Sequence, residues 1–167
     1  MDTLQFRAMN LEDIPRVHAI DRLSFSLPWP EKSYHFELTE NPAALATVAE
    51  LDQESGPSLI IGISVVWIIE DEAHIATIAI HPDYRRRGYG EKLLIEILHQ
   101  SYRRGASLAT LEVRSGNLPA QQLYRKFGFI TAGRRQKYYK DNNEDALIMT
   151  LFDLGPEYFR HLSLLLI

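Results

Sequence analysis

The chain has 167 residues, enough for one ordinary domain with a sizeable core. Hydrophobic residues make up 46% and charged residues 24%, which excludes a disordered chain, and a net charge of −4 leaves no basic footprint for nucleic acid. With no cysteine there is no disulfide, no thiolate metal site and no covalent acyl-cysteine intermediate.

Met1-Asp2-Thr3 has no positive segment leading into an apolar run, so no signal peptide is expected. Thr3 to Ala8 alternates around Leu4 and Phe6 and predicts a first strand. Asn10 is placed to cap a helix with Glu12 and Asp13 in its first turn, and Leu11, Ile14, Val17, His18 and Leu23 share one helical face. Ser24 to Pro30, with two prolines, predicts a structured loop, and Glu31 to Glu40 a second helix ending near Asn41-Pro42. Ala43 to Leu51 and Leu59 to Glu70 read as strands joined by the polar segment Asp52 to Pro57. The apolar stretch Leu59 to Ile69, interrupted by Gly62 and Ser64, is too short to span a bilayer, so a cytoplasmic protein with no membrane partner is expected.

Asp71-Glu72 turns into a further strand, Ala73 to His81. Gly88 to Arg104 is the best helix, with Leu93, Leu94, Ile97 and Leu98 at helical spacing and Gly105 as its stop. Ser107 to Arg114 predicts a strand, Asn117 to Lys126 a short helix capped by Asn117, and Phe129 to Lys137 with Asp145 to Asp153 a closing hairpin pair. The tail from Pro156 predicts a last helix. The order is a mixed α/β arrangement, not an all-parallel wound fold.

Two junctions carry chemistry. In the first, a strand ends at Ile80-His81, a turn follows at Pro82-Asp83-Tyr84, and Arg85-Arg86-Arg87-Gly88-Tyr89-Gly90 opens the long helix. A helix N-terminus offers unpaired N–H groups and a positive dipole end, glycines let backbone approach an anion, and arginines add charge-assisted bonds. Alone, this reads equally well as a solvated surface loop. Neither a dinucleotide fingerprint nor a P-loop fits, because the third glycine position is Leu93 and no Gly-Lys-Ser/Thr follows. The second junction is Leu111-Glu112-Val113-Arg114-Ser115-Gly116-Asn117, followed by Leu123-Tyr124 and Phe127-Gly128-Phe129. By themselves Glu112 reads as a surface strand carboxylate, Tyr124 as core and Asn117 as a cap. Six histidines show no ligand spacing, so no metal is expected.

Taken together, Arg85-x-x-Gly88-x-Gly90 and the downstream strand, Asn117, Leu123-Tyr124 and Gly128-Phe129 resemble the GNAT superfamily of acetyltransferases. Within it, Pro28-Trp29, Leu111 to Arg114, Arg134-Arg135, Tyr138-Tyr139 and Glu144-Asp145-Ala146 with Met149 resemble the ribosomal-protein-alanine N-acetyltransferases of the RimI type. The likeness runs from about Phe6 to Phe152; the insert Asp52 to Pro57 and the tail after Leu154 depart from it. It implies a GNAT domain over residues 1–154, with a mixed, mostly antiparallel sheet of about seven strands flanked by helices on both faces, then a tail at 155–167.

The resemblance also implies direct transfer of acetyl from acetyl-CoA to the α-amine of a protein N-terminus, with a ribosomal protein as the expected partner. Glu112 matches the family's general base and Tyr124 its general acid. The backbone of Ile78, Ala79 and Ile80 would hold the thioester arm, Arg85, Arg86, Arg87, Gly88, Tyr89 and Gly90 the pyrophosphate, and Asn117 the cofactor arm. Pro28, Trp29, Tyr138 and Tyr139 fall where the family builds its peptide groove. The alternatives are acetylation of a lysine side chain or small amine, and a non-catalytic acyl-CoA-binding module in which Glu112 and Tyr124 have no role.

Overall fold

Alternation and capping chemistry lay out most of the chain, and the computed structural model describes residues 3–54 and 56–165. Asn10 accepts hydrogen bonds from the amides of Glu12 and Asp13, and Asp13 returns one to the Asn10 amide, a reciprocal capping box. The first turn, Leu11–Asp13, is a 3-10 turn, and helix α1 runs Ile14–Ser24. Its buried face is Ile14, Val17, Ile20 and Asp21. Leu11 and Leu23, expected on that face, are exposed. The tight first turn rotates Leu11 off the stripe, and Leu23 lies three residues past the buried Ile20 but beyond the last inward position. The next helix, α2, spans Glu31–Thr39.

The strands are β1 (Thr3–Ala8), β2 (Ala44–Asp52), β3 (Leu59–Ile69), β4 (Glu72–Ile80), β5 (Leu108–Arg114), β6 (Ile130–Arg135) and β7 (Ala146–Leu151). Between them lie helices α3 (Tyr89–Arg103) and α4 (Leu118–Lys126), and α5 (Pro156–Leu165) closes the described chain. The sheet has seven strands in the order β1-β2-β3-β4-β5-β7-β6. β1 with β2, β2 with β3, β5 with β7 and β6 with β7 are antiparallel, and β4 with β5 is parallel. The closing hairpin is therefore present, with its second strand next to β5.

The chain forms two compact units. One holds the residues up to Trp67 with Ala76–His99; the other holds Ile68–Ile75 with the residues from Gln100 onward. In the first, Ile14, Val17, Ile20, Tyr34, Val48, Ile63 and Val65 make a buried cluster. Gly62 on β3 fits where a Cβ would come 2.7 Å from Ile80 Cδ1, 3.0 Å from Ala49 Cβ and 3.3 Å from Leu93 Cδ2. The missing side chain lets α3 approach the strands closely, and this fixes the start of that helix.

In the second unit β5 buries Ala109, Leu111 and Val113 on one face and leaves Thr110, Glu112 and Arg114 half-buried on the other, as a period of two requires. Phe127 and Phe129 are buried, and Gly128 between them has φ +90°, the left-handed conformation that ends α4. The tail helix is present as expected. Its Tyr158 hydroxyl donates to the Phe127 carbonyl at 2.9 Å, so α5 is tied to the α4 turn.

Candidate functional site

The first unit carries the arginine-glycine turn. Arg86 (φ +60°) and Gly88 (φ +79°) are both left-handed. Successive N–H groups in such a turn can form an anion-binding concavity. The amides of the first turn of α3 have no partner within the helix and add the positive dipole end. A Cβ at Gly88 would meet nothing within 4 Å, so the turn is open on that side. Arg85 and Arg87 are turned inward on their own loop. Arg85 donates from Nε to the Ile80 carbonyl (2.8 Å) and from Nη2 to Ser24 Oγ (3.0 Å), and Arg87 donates to the Asp83 carbonyl (3.0 Å). These two side chains brace the loop, and its backbone and Arg86 remain for an anion. Ile78, Ala79 and Ile80 form the last residues of β4 beside it.

The second unit gathers the titratable groups. His74 sits at the end of the parallel ladder that β4 makes with β5, opposite Thr110. Glu112 is two residues further along β5, on the same face as Thr110. That register brings His74 Nε2 within 2.6 Å of Glu112 Oε2, and Arg135 Nε reaches Glu112 Oε1 at 3.4 Å. The hydrogen bond from His74, first among the causes and aided by the charge of Arg135, holds the Glu112 carboxyl below its ordinary range despite burial. Both side chains keep some contact with solvent, 24% for His74 and 16% for Glu112.

Tyr124 is buried on α4 against the ring of Phe129, with centroids 5.7 Å apart. Burial, with a smaller push from Tyr139, raises its hydroxyl to about 12, so it holds its proton at neutral pH. Tyr139 is also raised to about 12, by burial and by the charges of Glu112 and Glu144 among others, against Arg114. Asn117 caps α4, accepting from the Ala120 amide at 3.3 Å. The buried Gln121 donates to the carbonyls of Arg114 and Ser115, which locks the β5–α4 corner.

The aromatic loops differ from expectation in detail. Trp29 stands between Tyr34 (5.4 Å) and Trp67 (6.2 Å, nearly parallel), while Pro28 is exposed. Tyr138 and Tyr139 meet edge to face at 5.2 Å. Glu144 and Asp145 are engaged within their own loop. Glu144 accepts from the Gly116 amide (2.7 Å) and Arg114 (3.2 Å), and Asp145 from Arg134 and the Lys137 amide (2.8 Å each). Three residues went unremarked in the sequence: Asp21 in the first unit, and in the second His74 and Arg114 as an anchor. Only His74 left a signal, a lone imidazole on the half-buried face of an otherwise apolar strand.

The sequence profile of the Acetyltransferase (GNAT) family matches residues 14–129. The chain belongs to the GNAT acetyltransferase family. A protein of Bacillus subtilis (strain 168), provisionally named a ribosomal protein bS18-alanine N-acetyltransferase, is 44% identical over 143 residues, 86% of this chain and 91% of that protein. The crystal structure of the ribosomal-protein-S18-alanine N-acetyltransferase from Escherichia coli is similar with a TM-score of 0.77 and 31% identity, covering 94% of this chain and 97% of that one. Arabidopsis thaliana NAA60 in complex with acetyl-CoA shares the fold at a TM-score of 0.79 and 21% identity, over 90% and 99% of the two chains.

As a GNAT enzyme the protein is an acyltransferase that uses acetyl-CoA. The left-handed turn at Arg86 to Gly88 and the first turn of α3 fit the pyrophosphate of that cofactor in charge and in backbone form. Among the described residues no cluster of three or more metal-ligating side chains occurs, and no helix is long and apolar enough to cross a membrane.

Proposed function

We propose that this GNAT enzyme acetylates the α-amine of a ribosomal protein's N-terminal alanine, with Glu112 on the base side and Tyr124 as general acid. The observation that carries the substrate is the 44% identity to the Bacillus subtilis protein across 91% of its length. The chemistry rests on the second unit, where Glu112 lies 2.6 Å from His74 and the buried Tyr124 keeps its proton.

Acetyl-CoA, when bound, supplies the thioester that the amine attacks. An α-amine has a reference pKa of ~7.7–8.0, so at neutral pH it must lose a proton before attack. Glu112, ionised and half-buried, stands on the side where that proton leaves, directly or through water. Tyr124 Oη, protonated because it is buried, donates to the departing sulfur. The amides around Arg86 to Gly88 hold the pyrophosphate, with Tyr89 and Gly90 opening the helix behind them. Ile78, Ala79 and Ile80 offer backbone to the pantetheine arm, and Asn117 stands at the α4 start. Pro28 and Trp29 in the first unit, and Tyr138 and Tyr139 in the second, are the residues assigned to the peptide.

Removing the Tyr124 hydroxyl tests the assignment. Tyr124→Phe is expected to lower kcat on an alanine-starting peptide by ~10²-fold or more while acetyl-CoA binding, measured by calorimetry, is retained. An unchanged kcat would take Tyr124 out of the mechanism.

A further inference from the structure

The short contact between His74 and Glu112 has no role in a mechanism that asks for one carboxylate. If Glu112 merely anchored the sheet, an imidazole at the last paired position of β4 would be an odd partner, since both side chains remain open to solvent. A carboxylate held low by a hydrogen bond and a guanidinium is also a weak base. Against an α-ammonium of ~7.7–8.0 it would have to take a proton several pKa units uphill. An imidazole hydrogen-bonded to a carboxylate faces a smaller deficit, because the carboxylate stabilises the imidazolium as it forms.

We infer that the base of this enzyme is the His74–Glu112 pair, His74 being the group that takes up charge and Glu112 its counter-ion and orienting partner. This rests on the assignment of Glu112 to the base side of acetyl transfer. The N–H bond of the α-ammonium breaks and its proton moves to the pair, directly or through water. The pair passes from a neutral imidazole beside a carboxylate (net −1) to an imidazolium beside a carboxylate (net 0). Of the two protons the ammonium gives up over the reaction, this one goes on to solvent, which restores the pair. The other balances the proton that Tyr124 delivers to sulfur.

Two further groups of the same unit face Glu112: Arg135 from β6, 3.4 Å away, and Tyr139 from the following loop. Tyr139 stays neutral across the working range because its hydroxyl is raised to about 12.

The test is the pH dependence of kcat at saturating peptide and acetyl-CoA, in the wild type and in two variants of His74. The wild type is expected to lose activity toward acid along one limb. His74→Gln keeps a hydrogen-bond donor for Glu112 but cannot titrate. It is expected to lower kcat by ~10-fold or more and to remove that limb, with KM for acetyl-CoA unchanged. His74→Ala is expected to regain activity on addition of free imidazole, which a purely architectural role would not allow. A His74→Gln enzyme with the wild-type rate and limb would overturn the inference, as would a His74→Ala enzyme that folds, is slow and ignores imidazole. Glu112→Gln separates this failure from that of the parent reading. If Glu112→Gln is slow while His74→Gln is not, Glu112 is the base alone; if both are as fast as wild type, the base assignment itself is wrong.

Discussion

Trp29 and Tyr139 sit on two loops, one after α1 and one after β6, and each loop is held by a charged residue of a neighbouring element. In the first loop the holder is Asp21, fully buried, whose Oδ2 accepts from the Trp29 amide at 2.6 Å. In the second it is Arg114, whose guanidinium lies 3.9 Å from the Tyr139 ring centroid and donates to Asp141, Asn142 and Glu144. Burial raises the Asp21 carboxyl above its ordinary value, against the pull of the Trp29 amide, so its charge is held at a cost. Arg114 is only partly covered, and its several partners share a network that solvent can replace. One buried bond ties the Trp29 backbone to α1, and several partly exposed ones tie the Tyr139 loop to β5.

Cutting each anchor sharpens the contrast. Asp21→Ala leaves the Trp29 amide without its acceptor inside a packed core and should cost ~1–3 kcal/mol, read from urea denaturation. A loss below a few tenths would show that the loop is held by the Trp29–Trp67 stack instead. Asp21→Asn keeps an acceptor and removes the titration. Because the folded Asp21 is raised above its unfolded value, its contribution to stability is full below the unfolded value of ~3.9 and is lost as pH rises through the folded one. The variant should therefore gain on the wild type as pH rises from about 4 to about 7, and parallel curves would deny the burial penalty. Arg114→Met should cost less, about 1 kcal/mol, because exposed ion pairs and cation–π contacts are each worth little. Its larger effect should be a rise in peptide KM, since the 136–145 loop loses its tie. If Arg114→Met proved as damaging to stability as Asp21→Ala, the two anchors would not differ in kind.

What could be read from the sequence was local. The Asn10 and Asn117 caps, the amphipathic α3, the alternation of β5 and the helix stop at Gly105 all follow from neighbours within a few residues. The candidate site was legible because Arg85 to Gly90 and Glu112 to Tyr124 are compact patterns. The partners of those residues were not. His74 meets Glu112 only through the register of a parallel ladder between residues 38 apart, and nothing near either one announces it. Asp21 lies on an ordinary helical stripe and becomes an anchor only because the Pro28–Trp29 backbone folds back over it. Arg85 looks like an anion ligand in sequence, yet it finds nearer acceptors at Ile80 and Ser24. Local chemistry names the groups, and long-range register decides what each one touches.

The central claim is transfer to an α-amine, and mass spectrometry of a synthetic peptide tests it most directly. The peptide begins with alanine and carries one internal lysine, with an N-terminally blocked copy alongside, each incubated with enzyme and acetyl-CoA. The account predicts one acetyl group on the free α-amine and none on the blocked copy. Acetylation of the lysine in both peptides would contradict it.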